Sequence, residues 1–304
     1  MIHLNHPLEP HNIVDWGAKK MKADSSLVSV VIYSPNNSGK RVYPLTRISV
    51  HCAVGQCIAY SAGMIFANPG FEASSNYGIG KDGSIGQYVP EAYRSWCTSS
   101  YDNDNRAITI EVASDTYAPY KVTDAAYKAL IKLLVDICKR NGKKKLLWFG
   151  DKDKSLSYSP KPDELVMTVH RWFANKSCPG DYLYNLHGTI AAEVTKQLGG
   201  SAVSGSAAAA AAPASSSSGK EATASLSGAD HTESGYTISA KQAMAVQILL
   251  NAYGYKGKDG KALTVDGAFG VNTEYAVVQY QKKNKVTSDG IVGPVTWNLL
   301  LGSN

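Results

Sequence analysis

The chain has little that would anchor it in a membrane or export it. None of its apolar runs approaches the ~18 to 20 consecutive residues a helix needs to span a bilayer, which excludes a helical membrane protein. The first residues, Met1-Ile2-His3-Leu4-Asn5-His6-Pro7, form neither a basic stretch nor the apolar core of an export signal. Synthesis in a reducing cytosol with free thiols is therefore expected. Cysteine is scarce and odd in number, five in 304 residues, which argues against a disulfide scaffold. Charge is modest too: 31 Lys and Arg against 25 Asp and Glu leave +6. That excess favours anionic partners in general, and plain solubility accounts for it as well. What is present, 44% apolar residues with 27 glycines and 12 prolines, is the composition of a folded globular chain of about two domains.

The composition breaks after Leu198. Residues 199–235 are almost all Ala, Ser, Gly and Thr, including the six-alanine run Ala207 to Ala212, and hold too little apolar surface to offset the entropy of ordering. A flexible linker is expected there, between a first domain at 1–198 and a second at 236–304. Roughly +5 of the net charge falls before Gly199 and +1 after it.

In the first domain, the β-branched runs Leu27–Tyr33, Arg47–Cys52, Ile108–Val112 and Lys145–Phe149 predict strands. Lys81-Asp82-Gly83 within Asn76–Tyr88 predicts a hairpin. A helix is predicted from Thr123-Asp124 to near Gly142, with Ala126, Leu130, Leu133, Leu134, Ile137 and Cys138 on one stripe. A second should span Asp181–Leu198. Alternating strands and helices imply an α/β domain, a central mixed sheet with helices on its faces.

The second domain is predicted to be a small all-α, three-helix unit. Ser239 through Gln242 is a capping box, a second helix should run from about Asn272 to Lys283, and Gly293-Pro294 should open a third. The stretch from Val265 to Thr273 recurs from Ser288 to Thr296, each copy an Asp-Gly turn before a helix start.

Of seven histidines, His51 and His170 stand out, the first ending the alternating run Arg47-Ile48-Ser49-Val50 and the second the apolar run Leu165–Val169, and Cys178 follows His170 by eight residues. Two imidazoles and a thiolate suit a borderline-soft ion such as Zn²⁺, with the fourth position left for water. Hydrolysis would also need a base and a cation near the reacting carbonyl. Glu111, a carboxylate inside the apolar run Ala107–Val112, is a candidate base, and Lys176, two residues before Cys178, a candidate cation. A solvent-facing strand-end glutamate and a plain surface lysine are the competing readings.

Val50-His51-Cys52, Asn76 through Gly83, Ala107 through Glu111, and Val169-His170 with Lys176-Ser177-Cys178-Pro179-Gly180 occur in this order. Together they resemble the zinc-dependent N-acetylmuramoyl-L-alanine amidases, whose fold is shared with peptidoglycan-recognition proteins. The likeness covers roughly residues 25–198 and is nearest to amidase endolysins of phages infecting clostridia and related Gram-positive bacteria. It implies that His51, His170 and Cys178 bind Zn²⁺, that Glu111 is the general base, and that Lys176 stabilises the oxyanion. Some relatives carry a tyrosine two residues before Tyr77; here that residue is Ser75. The second domain resembles a peptidoglycan-binding module through Asp266-Gly267-Ala268-Phe269-Gly270, Asp289-Gly290 and Trp297.

These resemblances imply a lytic enzyme that cleaves the amide between N-acetylmuramic acid and L-alanine with a zinc-held water. They imply peptidoglycan as partner, and no nucleic acid, membrane insertion or obligate protein partner. The lysin would be made in the host cytoplasm and act on the wall after release. Tyr77, Trp96, Trp172, Asp266 and Phe269 are candidate substrate contacts, with Tyr101 a further groove candidate, and core packing explains the aromatics equally well. The linker would let the module hold the wall while the catalytic domain searches nearby bonds. Two other readings remain at this point: a non-catalytic peptidoglycan-recognition protein, and a thiol peptidase with Cys178 as nucleophile and His170 as base.

Overall fold

The computed structural model describes residues 22–200, 229–231 and 236–302. In chain order the elements are β1 (Val30–Val31), β2 (Asn37–Lys40), β3 (Arg47–Val54), α1 (Ala59–Phe66), β4 (Tyr77–Ile79), β5 (Ile85–Gln87), β6 (Tyr93–Ser95), α2 (Tyr101–Arg106) and β7 (Ala107–Ser114). They continue as α3 (Asp124–Arg140), β8 (Lys145–Leu147), α4 (Lys152–Ser157), β9 (Glu164–Thr168), α5 (Gly180–Gln197), β10 (Ala229–His231), β11 (Tyr236–Ile238), α6 (Ala240–Ala252), α7 (Val271–Lys283) and α8 (Pro294–Leu300). Seven strands form one sheet in the order β1-β5-β4-β7-β3-β9-β8, parallel except for the β4–β5 hairpin. The molecule is thus a mixed α/β domain, its sheet flanked by helices, followed by a helical C-terminal region.

The two central strands, β3 and β7, are where the pattern decides most. Successive side chains of a strand point to opposite faces. Ile48, Val50 and Cys52 with Ile108, Ile110 and Val112 face the core that includes α3 and α5 residues. Ser49, His51 and Ala53 with Thr109, Glu111 and Ala113 therefore face the other way. Ser49 bonds Thr168 there at 2.5 Å and accepts from Asn103 at 3.0 Å, a polar patch under α2. This second face is the one that can carry chemistry.

Helix α3 follows its sequence stripe, with Thr123 capping it by accepting from the Ala126 N–H at 3.1 Å. Helix α1 was not legible, because Ala59–Phe66 is apolar on nearly every side. The reason is burial on two sides: it packs against β1, β4 and β5 and also against α6. Gly78 and Gly86 make room for the Tyr88 ring, which a Cβ at either position would strike. Tyr88 in turn donates from Oη to the Ala59 carbonyl at 2.6 Å, fixing the start of α1.

The sequence repeat has a structural cause. Gln247 donates from Nε2 to Asp266 Oδ1, the Ala268 carbonyl and Thr273 Oγ1, and accepts from the N–H groups of Asp266 and Gly267. Gln281 does the same for the second copy, donating to Asp289 Oδ1, the Ile291 carbonyl and Thr296 Oγ1 and accepting from the Gly290 N–H. Each Asp-Gly turn is thus wired to a buried glutamine on the preceding helix.

The expected linker falls mostly outside the described residues, as do the alanine run and the N-terminal histidines His3, His6 and His11. Within its span, Ala229–His231 pairs antiparallel with Tyr236–Ile238, an element not anticipated in a structureless tether. Helices α6 to α8 do not stand apart from the sheet domain. Their core and that of α1 form one continuous apolar cluster.

Candidate metal centre

In-register parallel pairing of β3 with β7 sets His51 directly beside Glu111, and β4 adds Gly78 on the far side of Glu111. His51 is fully buried, and its Nδ1 lies 3.7 Å from Glu111 Oε1. The third segment arrives from β9. After Thr168 the chain turns through a single 3₁₀ turn, His170–Trp172, and loops back to Cys178. The Arg171 N–H donates to the Cys178 carbonyl at 3.0 Å, while its guanidinium donates to the Ser177 carbonyl at 2.5 Å and to Asp181 at 3.1 Å. That closure sets Cys178 Sγ 3.3 Å from His51 Nδ1, and the His51 and His170 ring centres 5.2 Å apart.

Donor atoms of His51, His170 and Cys178 all lie within 4.8 Å of one another. Burial, then the neighbouring His170 and His187, holds the His51 pKa well below the ordinary imidazole value. Burial and the charge of Lys176 lower that of His170 to about 4. Both rings are therefore neutral at pH 7 and have lone pairs to offer. The Cys178 thiol is pushed up, first by burial and then by Cys52. Such a thiol is a poor free nucleophile, and a cation among these donors is what would ionise it. The set fits a tetrahedral N/S-coordinated ion such as Zn²⁺ with one position left open.

Among the described residues no Lys or Arg pairs with Glu111, and the imidazole nearest to it, His51, is neutral at pH 7. Burial raises the Glu111 carboxyl to about 7, opposed by the Cys97 thiol at 3.7 Å from Oε1, and Oε2 is buried with no hydrogen-bond partner. A desolvated, underused carboxylate beside neutral imidazoles is costly to fold and suited to moving a proton near neutral pH. Lys176 is half-buried on the loop between the two ligand positions and is felt electrostatically by His170.

The sequence reads Cys97, with Cys52, Cys57 and Cys138, as a buried small residue and gives no role to Ser99; the structure leaves Cys97 only partly buried. Cys97 reaches Glu111, and Ser99 Oγ lies 3.3 Å from His170 Nε2. Nothing periodic marks them, since they sit in the connection between β6 and α2. His187 was passed over as well; it is fully buried in α5 against Trp148.

The remaining candidates are placed as follows. Tyr77 is fully buried on the α3 side of the sheet and donates to Glu91 at 2.7 Å, so strand alternation takes it away from Glu111; the expectation that it touches substrate is corrected on that ground. Trp96 is exposed next to Cys97 and donates from Nε1 to Ser38 at 2.8 Å. Trp172 stacks on Trp148 with ring centres 5.2 Å apart, and Tyr101 is exposed under the Arg94 guanidinium. The Asp266 carboxylate accepts from Gln247 and the Ala268 N–H, a turn-forming role, and Phe269 packs on the module's core.

Residues 41–181 match the family described as N-acetylmuramoyl-L-alanine amidase, and residues 239–300 match that described as putative peptidoglycan binding domain. No curated protein matches the chain. Similar solved structures include a mutant endolysin from Bacillus subtilis, 17% identical, covering 55% of this chain and 99% of that one at a TM-score of 0.36. The N-acetylmuramoyl-L-alanine amidase LysC from Clostridium intestinale is 16% identical over 50% of this chain and 89% of its own, TM-score 0.35. Drosophila peptidoglycan recognition protein SD is 18% identical over 52% and 92%, TM-score 0.37. These structural likenesses are weak and carry no argument; the two family matches show one segment, 41–181, similar to N-acetylmuramoyl-L-alanine amidases and another, 239–300, similar to peptidoglycan-binding domains.

Proposed function

We propose that the protein hydrolyses the amide joining N-acetylmuramic acid to L-alanine in peptidoglycan. The convergence of His51, His170, Cys178 and Glu111 from three separate segments, with a buried carboxylate oxygen that has no hydrogen-bond partner beside the ligand set, carries this reading. Zn²⁺ held by His51, His170 and Cys178 would polarise the scissile carbonyl and acidify the attacking water. Glu111 takes the proton of that water and returns it to the departing L-alanine amine. The Cys97 thiol steadies Glu111 through Oε1. Lys176 balances the negative charge growing on the carbonyl oxygen. The C-terminal module supplies wall affinity. On the strength of the motif resemblance, we read the chain as an endolysin of the type carried by phages of clostridia.

The test is mass spectrometry of peptidoglycan digested by the protein. New L-alanine N-termini without new reducing sugar ends are expected, together with loss of activity on chelation and its return with zinc. New reducing ends alone would refute the assignment. A recognition protein without activity would bind walls and release nothing. A Cys178 thiol peptidase would be blocked by alkylation and untouched by chelators.

A further inference from the structure

The C-terminal module is seated on the catalytic domain at a defined place, the loop that leaves β3. The Ile58 N–H donates to the Leu301 carbonyl at 3.0 Å. Gly55 adopts φ +132°, and a Cβ there would come within 2.7 Å of Leu301 Cδ1, so only glycine satisfies both the backbone and the approach. A Cβ at Gly302 would likewise press on Ile58 at 2.9 Å. Farther along, Lys241 Nζ donates to the Phe71 carbonyl at 3.1 Å and lies over the Phe71 ring, and Tyr253 Oη stands 3.5 Å from Ser61 Oγ.

This seat adjoins the chemistry. Gly55 exchanges backbone hydrogen bonds with Ser114, the last residue of β7, at 3.1 and 3.3 Å. Residues Gly55 to Ile58 thus join the ends of the two strands that carry His51 and Glu111. On the same face, Ala53 and Ala113 lie two positions on from those residues, about 7 Å along the strands. Both belong to the apolar cluster that contains Trp297, Leu300 and Leu301 of the module.

We propose that the module is a fixed part of the catalytic unit, clamping the loop from Gly55 to Ile58 and so holding the ends of β3 and β7, and with them His51 and Glu111, in place, beyond any role in wall anchorage. This rests on the amidase reading for its catalytic consequence and on geometry alone for the docking. A tethered anchor would raise local substrate concentration only for wall-bound substrate. A clamp matters equally for a small soluble muropeptide that needs no anchorage.

Two measurements on the full-length, zinc-loaded protein test it. Backbone ¹⁵N relaxation should give α6 to α8 the same rotational correlation time as the sheet domain; faster tumbling of the module overturns the proposal. The Ile58→Glu/Lys241→Glu double variant should free the module and lower kcat/KM for soluble N-acetylmuramoyl-peptide by tenfold or more, with zinc content and binding to purified walls kept. Lys241→Glu alone, with a smaller loss in the same direction, serves if the double variant does not fold. Undiminished soluble turnover overturns the clamp. A parent protein that tumbles as one body yet does not cleave the muropeptide at all refutes the amidase reading and leaves the docking standing.

Discussion

Replacing Glu111 by Gln removes the proposed base while keeping size and shape. General base catalysis contributes ~10² to 10⁴ in rate, about 2.7 to 5.4 kcal/mol of barrier. A loss in that range is expected for Glu111→Gln, assayed as release of L-alanine N-termini, with zinc content unchanged. The structure adds a second, opposite expectation for stability. Burial raises the folded-state carboxyl from 4.5 to about 7, so the folded protein holds this proton more tightly than the unfolded chain. The associated stability is complete below pH 4.5 and is lost as pH rises through 7. At about 1.36 kcal/mol per pH unit the loss is at most about 3 kcal/mol. Gln mimics the protonated side chain and escapes it. Metal-free Glu111→Gln should therefore be more stable than the metal-free parent at pH 8 by up to about 3 kcal/mol, and equal to it near pH 4, in urea titrations. Activity near the parental level would refute the base assignment. A variant less stable than the parent at pH 8 would refute the picture of a desolvated carboxylate with an unsatisfied oxygen.

Cys178→Ser should lower bound zinc well below one per chain by elemental analysis while far-UV circular dichroism stays parental; full zinc occupancy would remove Cys178 from the ligand set. Gln281→Ala strips four hydrogen bonds from the second Asp-Gly turn and should cost about 2 to 3 kcal/mol in denaturant unfolding, with a similar cost for Gln247→Ala; losses under 0.5 kcal/mol would show that the turns stand without them. Gly78→Ala places a methyl against the Tyr88 ring and should destabilise by about 1 to 3 kcal/mol or more, seen as a lower Tm; a neutral result would mean the ring shifts freely.

The likeness of the catalytic segments was legible because the chemistry sits on regular structure. His51 and Glu111 lie at the same register of paired central strands, and an apolar strand interrupted by a carboxylate announces itself. Cys97 reads as one more buried small cysteine, and Ser99 not at all, because an irregular connection has no period to show which way a side chain points. Tyr77 misled because a two-residue alternation, read without the register, does not say which face holds the chemistry; pairing of Gly78 with Glu111 does. Helix α1 escaped notice because periodicity reports one buried side, and α1 is buried on two.

By itself, the sequence determined what local forces determine: the capped helix α3 with its apolar stripe, the β4–β5 hairpin, the doubled Asp-Gly turns, and the residue types able to hold an ion. Tertiary structure alone decided which donors meet, since Cys178 reaches His51 across 127 residues only after β9 pairs with β3 and Arg171 closes the loop. It also decided the place of the C-terminal helices. The Ala- and Ser-rich composition of the connection suggested independence, because composition measures only the cost of ordering that segment. Whether the domains it joins stay apart depends on their apolar surfaces, and those of α1, α6 and α8 are buried against one another.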